Sequence, residues 1–203
     1  MNLSDKFTLC RVIGAPVFFL LYFIPVWTGY FSYASVFVII PLIAFLEFTD
    51  FLDGFFARKN NQVSDFGKLF DPFADVILHL TTFSCFMLRG ISGVAYLPSI
   101  IFVFIMYREF SMNFIRMIAA KKGIAIAARK GGKLKTVLYV VSGFFALAVE
   151  CCARLGLDIE NSLMLLKSIS GGLFVLCLVA SYVSFADYLI HFRKVFKKSD
   201  NKA

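Results

Sequence analysis

The chain has 203 residues, 60% of them hydrophobic and 17% charged, with a formal net charge of +8 and a mean hydropathy of +0.80. A soluble domain averages roughly 45–50% apolar and about 25% charged residues, so a soluble domain, a disordered chain, a collagen and a disulfide scaffold are all excluded. What remains is one all-α membrane domain over 1–203, because a bilayer span needs about 20 predominantly apolar residues and several such stretches fill the chain. In so apolar a chain the basic excess reads as topology signals and phosphate partners, and no nucleic-acid partner is expected. Cys10, Cys85, Cys151, Cys152 and Cys177 match no zinc or redox spacing and read as small apolar fillers. The first apolar stretch has no small-residue cleavage site, so no cleavable signal peptide is expected.

Six transmembrane helices are predicted, at about 8–27, 33–57, 68–88, 94–117, 134–152 and 167–191. The first two divide a charge-free run from Val12 to Leu46, broken at Trp27 to Ser32 by an interfacial turn. The fifth has a short uncharged core, Thr136 to Val149, completed by flanking residues that snorkel. An even count puts both termini on one side, together with 18 of the 21 Lys and Arg; Arg89, Arg154 and Lys167 fall opposite. The positive-inside rule then places both termini in the cytoplasm.

Carboxylates at bilayer depth cost roughly 2.5–3.5 kcal/mol each on insertion scales and so need a reason. Asp50 and Asp53 stand at i, i+3 near the end of the second span, and Asp71 and Asp75 at i, i+4 at the start of the third. Four converging carboxylates are oxygen-only ligands suited to hard divalent cations, most simply two Mg²⁺, with Mn²⁺ as an alternative. Gly54 and Ala57 lie along the carboxylate face and let a ligand approach the backbone, Gly67 permits a tight entry into the third helix, and Arg58 suits a phosphate. The bland alternative is a set of interfacial helix caps. Glu47 shares the face, either behind the metal or capping the polar pocket, and His79 follows Asp75 by four residues, either tuning it or simply packing. Asp187 in the last span has no assigned role.

The run Asp50-Phe-Leu-Asp53-Gly54-Phe-Phe-Ala57-Arg58, eight residues, then Gly67-Lys-Leu-Phe-Asp71-Pro-Phe-Ala-Asp75 resembles the signature of the CDP-alcohol phosphatidyltransferase family at every defining position. The resemblance implies a six-helix membrane enzyme and a homodimer. It implies that Asp50, Asp53 and Asp71 hold metal, that Asp75 holds metal and accepts a proton, and that Gly54, Arg58 and Ser64 contact CDP. The opening Asn-Leu-Ser-Asp5-Lys-Phe-Thr8-Leu-Cys-Arg11 looks like the family's nucleotide-proximal segment, which makes Asp5 and Thr8 CDP contacts; Ser4 and Asp5 depart from its usual Pro and Asn.

A second polar cluster comprises Arg108-Glu109, Arg116 and Gly131-Gly132-Lys133-Leu-Lys135-Thr136. Arg108, Arg116, Lys133 and Lys135 suit the phosphate monoester of an acceptor, or alternatively form a positive-inside loop. Together with Gly123 and Ala127-Ala128 these residues resemble the family members that use glycerol-3-phosphate as acceptor, although Val76 and Arg129 stand where those usually have Lys and Ser. The resemblance therefore implies transfer of the phosphatidyl group of CDP-diacylglycerol to glycerol-3-phosphate at the cytoplasmic face of a bacterial inner membrane. Inositol phosphate, serine or phosphatidylglycerol as acceptor, and a divalent-cation transporter, are the rival readings.

Overall fold

The structure, a computed structural model, describes the backbone of residues 3–60, 65–121 and 130–200 and the side chains of 5–49, 67, 69–121 and 131–192. Six helices account for nearly all of it: α1 (Leu3–Thr28), α2 (Ser32–Asn60), α3 (Asp65–Met87), α4 (Ser99–Lys121), α5 (Lys130–Arg154) and α6 (Glu160–Asp200). There is no strand among the described residues, as expected where backbone polar groups must be satisfied without water. Among the described residues, five helices, all but α4, are long and apolar enough to cross a membrane. Helix α4 is interrupted by Arg108, Glu109 and Arg116, which lower its hydropathy without shortening it.

Large apolar side chains cover the outside, among them Ile13, Phe37, Phe45, Val103, Phe114, Leu165 and Val183. Such a surface is a liability in water and the normal condition in lipid, so the chain is a membrane protein. Inside, α1 packs along α2 and α3, α5 along α6, and α4 joins the two groups through α3 and α6. Phe18, Tyr22, Ile39, Leu46, Leu78, Phe83, Phe86, Tyr139 and Phe174 form the fully buried centre. Helices α1 and α2 approach closely at Gly14, where an added Cβ would lie 2.5 Å from Leu46 Cδ2.

The connections explain where the helices stop. Gly29 and Phe31 both adopt left-handed backbone, with φ of 75° and 65°, and reverse the chain in the turn expected between Trp27 and Ser32. Helix α4 begins at Ser99 rather than near 94, because Gly93 (φ 75°) turns the chain and Pro98 cannot continue a helix backwards. The intervening backbone is tied down instead: the amides of Tyr96 and Leu97 both donate to the Phe86 carbonyl, at 2.9 and 3.0 Å. At the end of α5, Gly156 (φ 71°) closes a Schellman-type cap in which Leu157 N donates to Cys152 O at 3.1 Å. All five cysteines are free, with Cys85, Cys151 and Cys177 buried and Cys10 and Cys152 partly buried.

Candidate active site

The helix order brings the start of α1, the end of α2, the start of α3, the end of α4 and the start of α5 to one end of the bundle, and every polar cluster of the motif lies there. Helices α1 and α3 run parallel, and their first turns are in register. Thr8 Oγ1 donates to Asp71 Oδ1 and Arg11 Nη1 to Asp75 Oδ1, with Arg11 Nη2 3.5 Å from Thr8 Oγ1. The spacing Thr8 to Arg11 is one helical turn, as is Asp71 to Asp75, so two donors on one face meet two acceptors on the other. Thr8 and Arg11 are completely buried, Asp5 one turn earlier is buried, and the Asp75 carboxyl remains about one-third exposed. A guanidinium without solvent is tolerated only when paired, and Asp75 supplies that pairing. Arg11, counted by composition among the topology-setting cations, is instead buried and paired with Asp75.

Gly67 is buried one turn before Asp71, at the entry to α3. Asp50, Asp53, Gly54, Ala57 and Arg58 lie on the continuous α2 backbone, but their side chains lie outside the described residues, as does the whole of Ser64. Among the described residues no three His, Cys, Asp or Glu side chains converge as a metal site, since only two of the four expected carboxylates are included. Those two fit a hard divalent cation: oxygen donors one turn apart on one helix, partly open to solvent.

The second cluster is organised by Glu109. Arg108 Nη1 donates to both Glu109 oxygens at 3.0 Å, Lys135 Nζ donates to Oε1 at 2.8 Å, and Tyr139 Oη donates to Oε1 at 2.8 Å. Arg108 Nε reaches the Ser181 carbonyl of α6 at 2.9 Å, and Lys135 Nζ lies 4.5 Å from the Tyr139 ring centre. One carboxylate thus holds two cations in fixed positions and leaves the group with a net positive charge. Arg108 and Glu109 are 4% and 3% exposed, so α4 turns both charges into the bundle. The four cations expected to act together separate into three settings. Arg108 and Lys135 share Glu109; Arg116 lines a cavity of about 250 Å³ between α3 and α4 with Asn113, Phe70 and Phe73; Lys133 is exposed, two residues and so about 200° around α5 from Lys135. The two clusters adjoin through His79, which sits one turn beyond Asp75 and meets the Tyr139 ring edge-on at 5.6 Å.

A third cluster, which composition alone does not single out, closes the opposite end of the bundle. Glu150, fully buried, accepts from Ile91 N at 2.7 Å, Tyr96 Oη at 3.1 Å and Arg154 Nε at 3.3 Å. Arg154 also donates to Ser35 Oγ at 2.9 Å and to the Tyr22 carbonyl at 2.8 Å, with its guanidinium 4.5 Å from the Tyr22 ring centre. Burial, and to a lesser degree the Glu150 charge, push the Tyr96 hydroxyl above its ordinary pKa, so it stays a donor. Its sequence signal was the i, i+4 spacing of Glu150 and Arg154 in an otherwise apolar helix. With Glu150 and Arg154 both buried and bonded to four elements, this cluster is a clasp between α1, α2, the α3–α4 link and α5.

A bundle of membrane-crossing helices with Asp71, Asp75 and the paired cations Arg11, Arg108 and Lys135 gathered at one end defines a polytopic membrane protein with a polar site at that end. The sequence profile of the family CDP-alcohol phosphatidyltransferase matches residues 1–183. The chain is 35% identical, over 98% of its length and 92% of the relative's, to a CDP-diacylglycerol–glycerol-3-phosphate 3-phosphatidyltransferase of Treponema pallidum. It is 29% identical to the Bacillus subtilis protein of the same name, over 70% of this chain and 74% of that one. It is also 35% identical to a probable phosphatidylglycerophosphate synthase of Mycobacterium tuberculosis, over 73% of this chain and 68% of that one. The chain belongs to the CDP-alcohol phosphatidyltransferase family and is an enzyme of that class.

Proposed function

We propose that this enzyme transfers the phosphatidyl group of CDP-diacylglycerol to glycerol-3-phosphate, giving phosphatidylglycerophosphate and CMP. The observation that carries the reading is the adjacency of two partly exposed carboxylates on α3 to a pair of cations, Arg108 and Lys135, fixed by Glu109 at the same end of the bundle. The names of the relatives support the same donor and acceptor.

In this reading Asp50, Asp53, Asp71 and Asp75 hold two Mg²⁺ ions, with Mn²⁺ able to substitute. Such ions, when bound, neutralise the pyrophosphate and make the phosphorus more electrophilic. Asp75 takes the proton of the acceptor's 1-hydroxyl as that oxygen bonds to the phosphorus nearer the lipid and the bond from phosphorus to the CMP oxygen breaks. Arg11 aims the Asp75 carboxylate from its buried side and keeps the exposed side toward the reactants. Gly54, Ala57, Arg58, Ser64 and Gly67, with Asp5 and Thr8 from α1, line the CDP moiety. Arg108 and Lys135, pre-positioned by Glu109, receive the acceptor's phosphate, with Arg116 and Lys133 on its approach, so that the hydroxyl is oriented before it reacts.

The whole chain acts as one domain with six spans, α4 included. Both termini and the site face the cytoplasm of a bacterial inner membrane, a placement supported by the 18 basic residues on that side. The diacyl chains stay in lipid while the polar reactants enter from water. The test is CMP release by purified protein in detergent given CDP-diacylglycerol and Mg²⁺, with glycerol-3-phosphate, inositol phosphate, serine or phosphatidylglycerol supplied separately. Release dependent on glycerol-3-phosphate is expected. Release with another acceptor would replace the acceptor and keep the donor chemistry; release with none, accompanied by metal flux into vesicles, would point to transport.

A further inference from the structure

Beneath the aspartates lies a contact that the reaction as described does not use. His79 is 7% exposed, and its Nδ1 lies 2.8 Å from the Asp75 carbonyl. A carbonyl only accepts, so Nδ1 carries the hydrogen and Nε2 is turned to the other side of the ring. There Nε2 has no hydrogen-bond partner, and the facing charged atom is Glu47 Oε1 of α2 at 3.7 Å, beyond direct hydrogen-bonding range. Both atoms line a small cavity where α2, α3 and α5 meet, with about 10 Å³ for the centre of a water-sized sphere. Its other polar neighbours are committed elsewhere, the Tyr139 hydroxyl to Glu109 and the Thr82 hydroxyl to the Leu78 carbonyl. That room is at the lower limit for one water, and a water there has two acceptors to donate to.

The position gives this contact its consequence. Among the described residues α2 and α3 hardly touch one another, each packing instead along α1. Yet the expected ligand set is divided between them, with Asp50 and Asp53 three and six residues after Glu47 on α2, and Asp71 and Asp75 eight and four residues before His79 on α3. The separation of two carboxylate pairs decides how well they hold an ion. We propose that Glu47 and His79, joined through one water in this cavity, are positioning residues that brace α2 against α3 and set the spacing of the two aspartate pairs. The inference rests on the metal-dependent transfer proposed above.

The test measures Mn²⁺ binding by electron paramagnetic resonance on purified protein without substrate, beside steady-state kinetics. Glu47→Leu and His79→Leu keep volume and remove the link. Each is expected to weaken Mn²⁺ binding about tenfold and to raise the Mg²⁺ needed for half-maximal turnover in parallel, with KM for CDP-diacylglycerol within about twofold of wild type. The double variant is expected to be no weaker than the weaker single, because one link is lost once. Glu47→Gln, which still bonds to a water, is expected to stay within about threefold of wild type. Leucine variants that bind Mn²⁺ like wild type, or single effects that multiply in the double, would overturn the brace. If the leucine variants do not elute as folded protein, Glu47→Gln decides alone, and a tenfold loss in it would count against the water link. Wild-type protein that binds no Mn²⁺ would remove the metal reading and the brace together, whereas wild-type binding with unaffected variants removes the brace only.

Discussion

Arg154→Ala should destabilise the protein severely while leaving the chemistry of the surviving folded molecules intact. Arg154 is 4% exposed and donates to Glu150, Ser35 and the Tyr22 carbonyl, so its removal strips three acceptors and leaves Glu150 fully buried with a charge and no cation. Breaking a buried pair from one side costs about 3–5 kcal/mol. Glu150 keeps its bonds from Ile91 N and Tyr96 Oη, which places the expected loss toward the lower end, about 3 kcal/mol. For a chain of this size that corresponds to roughly 6–12 °C in midpoint, at about 2–4 °C per kcal/mol. The assay is thermal denaturation in detergent followed by fluorescence size-exclusion, with turnover normalised to the folded peak. The double variant Glu150→Gln, Arg154→Met removes both charges and should recover much of the loss, since neither partner is then left charged and alone. A midpoint for Arg154→Ala within 2 °C of wild type, or a double variant no better than the single, would refute the clasp.

Further expectations concern the other end and the core. Asp75→Asn should lower the denaturation midpoint, because buried Arg11 loses its charged partner, and, with CMP release normalised to folded protein, should lose turnover by about 10³-fold, within the range for a general base; near-normal turnover would remove Asp75 from that role. Lys135→Ala should raise KM for glycerol-3-phosphate about tenfold or more, whereas Lys133→Ala should stay within about twofold, because only Lys135 is held beside Arg108 by Glu109. Equal effects of the two lysines in acceptor titrations would contradict that separation. Gly14→Val should cost about 1–3 kcal/mol by driving its side chain into Leu46, visible as a lowered denaturation midpoint.

Much of this was legible in the residues. The apolar runs and the reversal at Trp27 to Ser32 mark the helices, and the i, i+4 spacing puts Asp71 and Asp75 on one face of α3, where they meet Thr8 and Arg11, because hydrophobic length and helical spacing are local properties; the Asp50 and Asp53 side chains lie outside the described residues. The start of α4 was misplaced by about one turn because apolarity continues through Val94 to Leu97 while Pro98 and Gly93 decide the backbone. Hydropathy treats buried and interfacial apolar residues alike. Partnering was least legible. Arg11 and Arg154 each looked like a topology charge, and each is a buried member of a cluster whose acceptors lie 64 and 119 residues away in sequence. Likewise the spacing of Lys133 and Lys135 suggested two phosphate ligands, but residues two apart on a helix face opposite ways and only one joins Glu109.

The distribution of polar groups between the two ends bears on how the enzyme handles a lipid donor and a water-soluble acceptor. At the clasp, Glu150 and Arg154 have none of their side chain exposed, every bond runs between fixed elements, and Gly90 is pressed so near that a Cβ would lie 2.3 Å from Glu150 Oε1. At the site, the corresponding ion pair is asymmetric: Arg11 is sealed in the bundle and Asp75 is about one-third open. An ion pair sealed on both sides serves only packing, whereas one sealed on the cation side holds a carboxylate in place while leaving its outer oxygen region accessible. Helices α1, α3 and α5 carry Thr8 and Arg11, Asp71 and Asp75, and Lys135 near their starts and are locked near their ends through Tyr22, the α3–α4 link and Arg154. In the proposed mechanism, rigidity at the far end would let the near end stay open to substrate while Asp71 and Asp75 keep their places, as a reaction that depends on their positions would require.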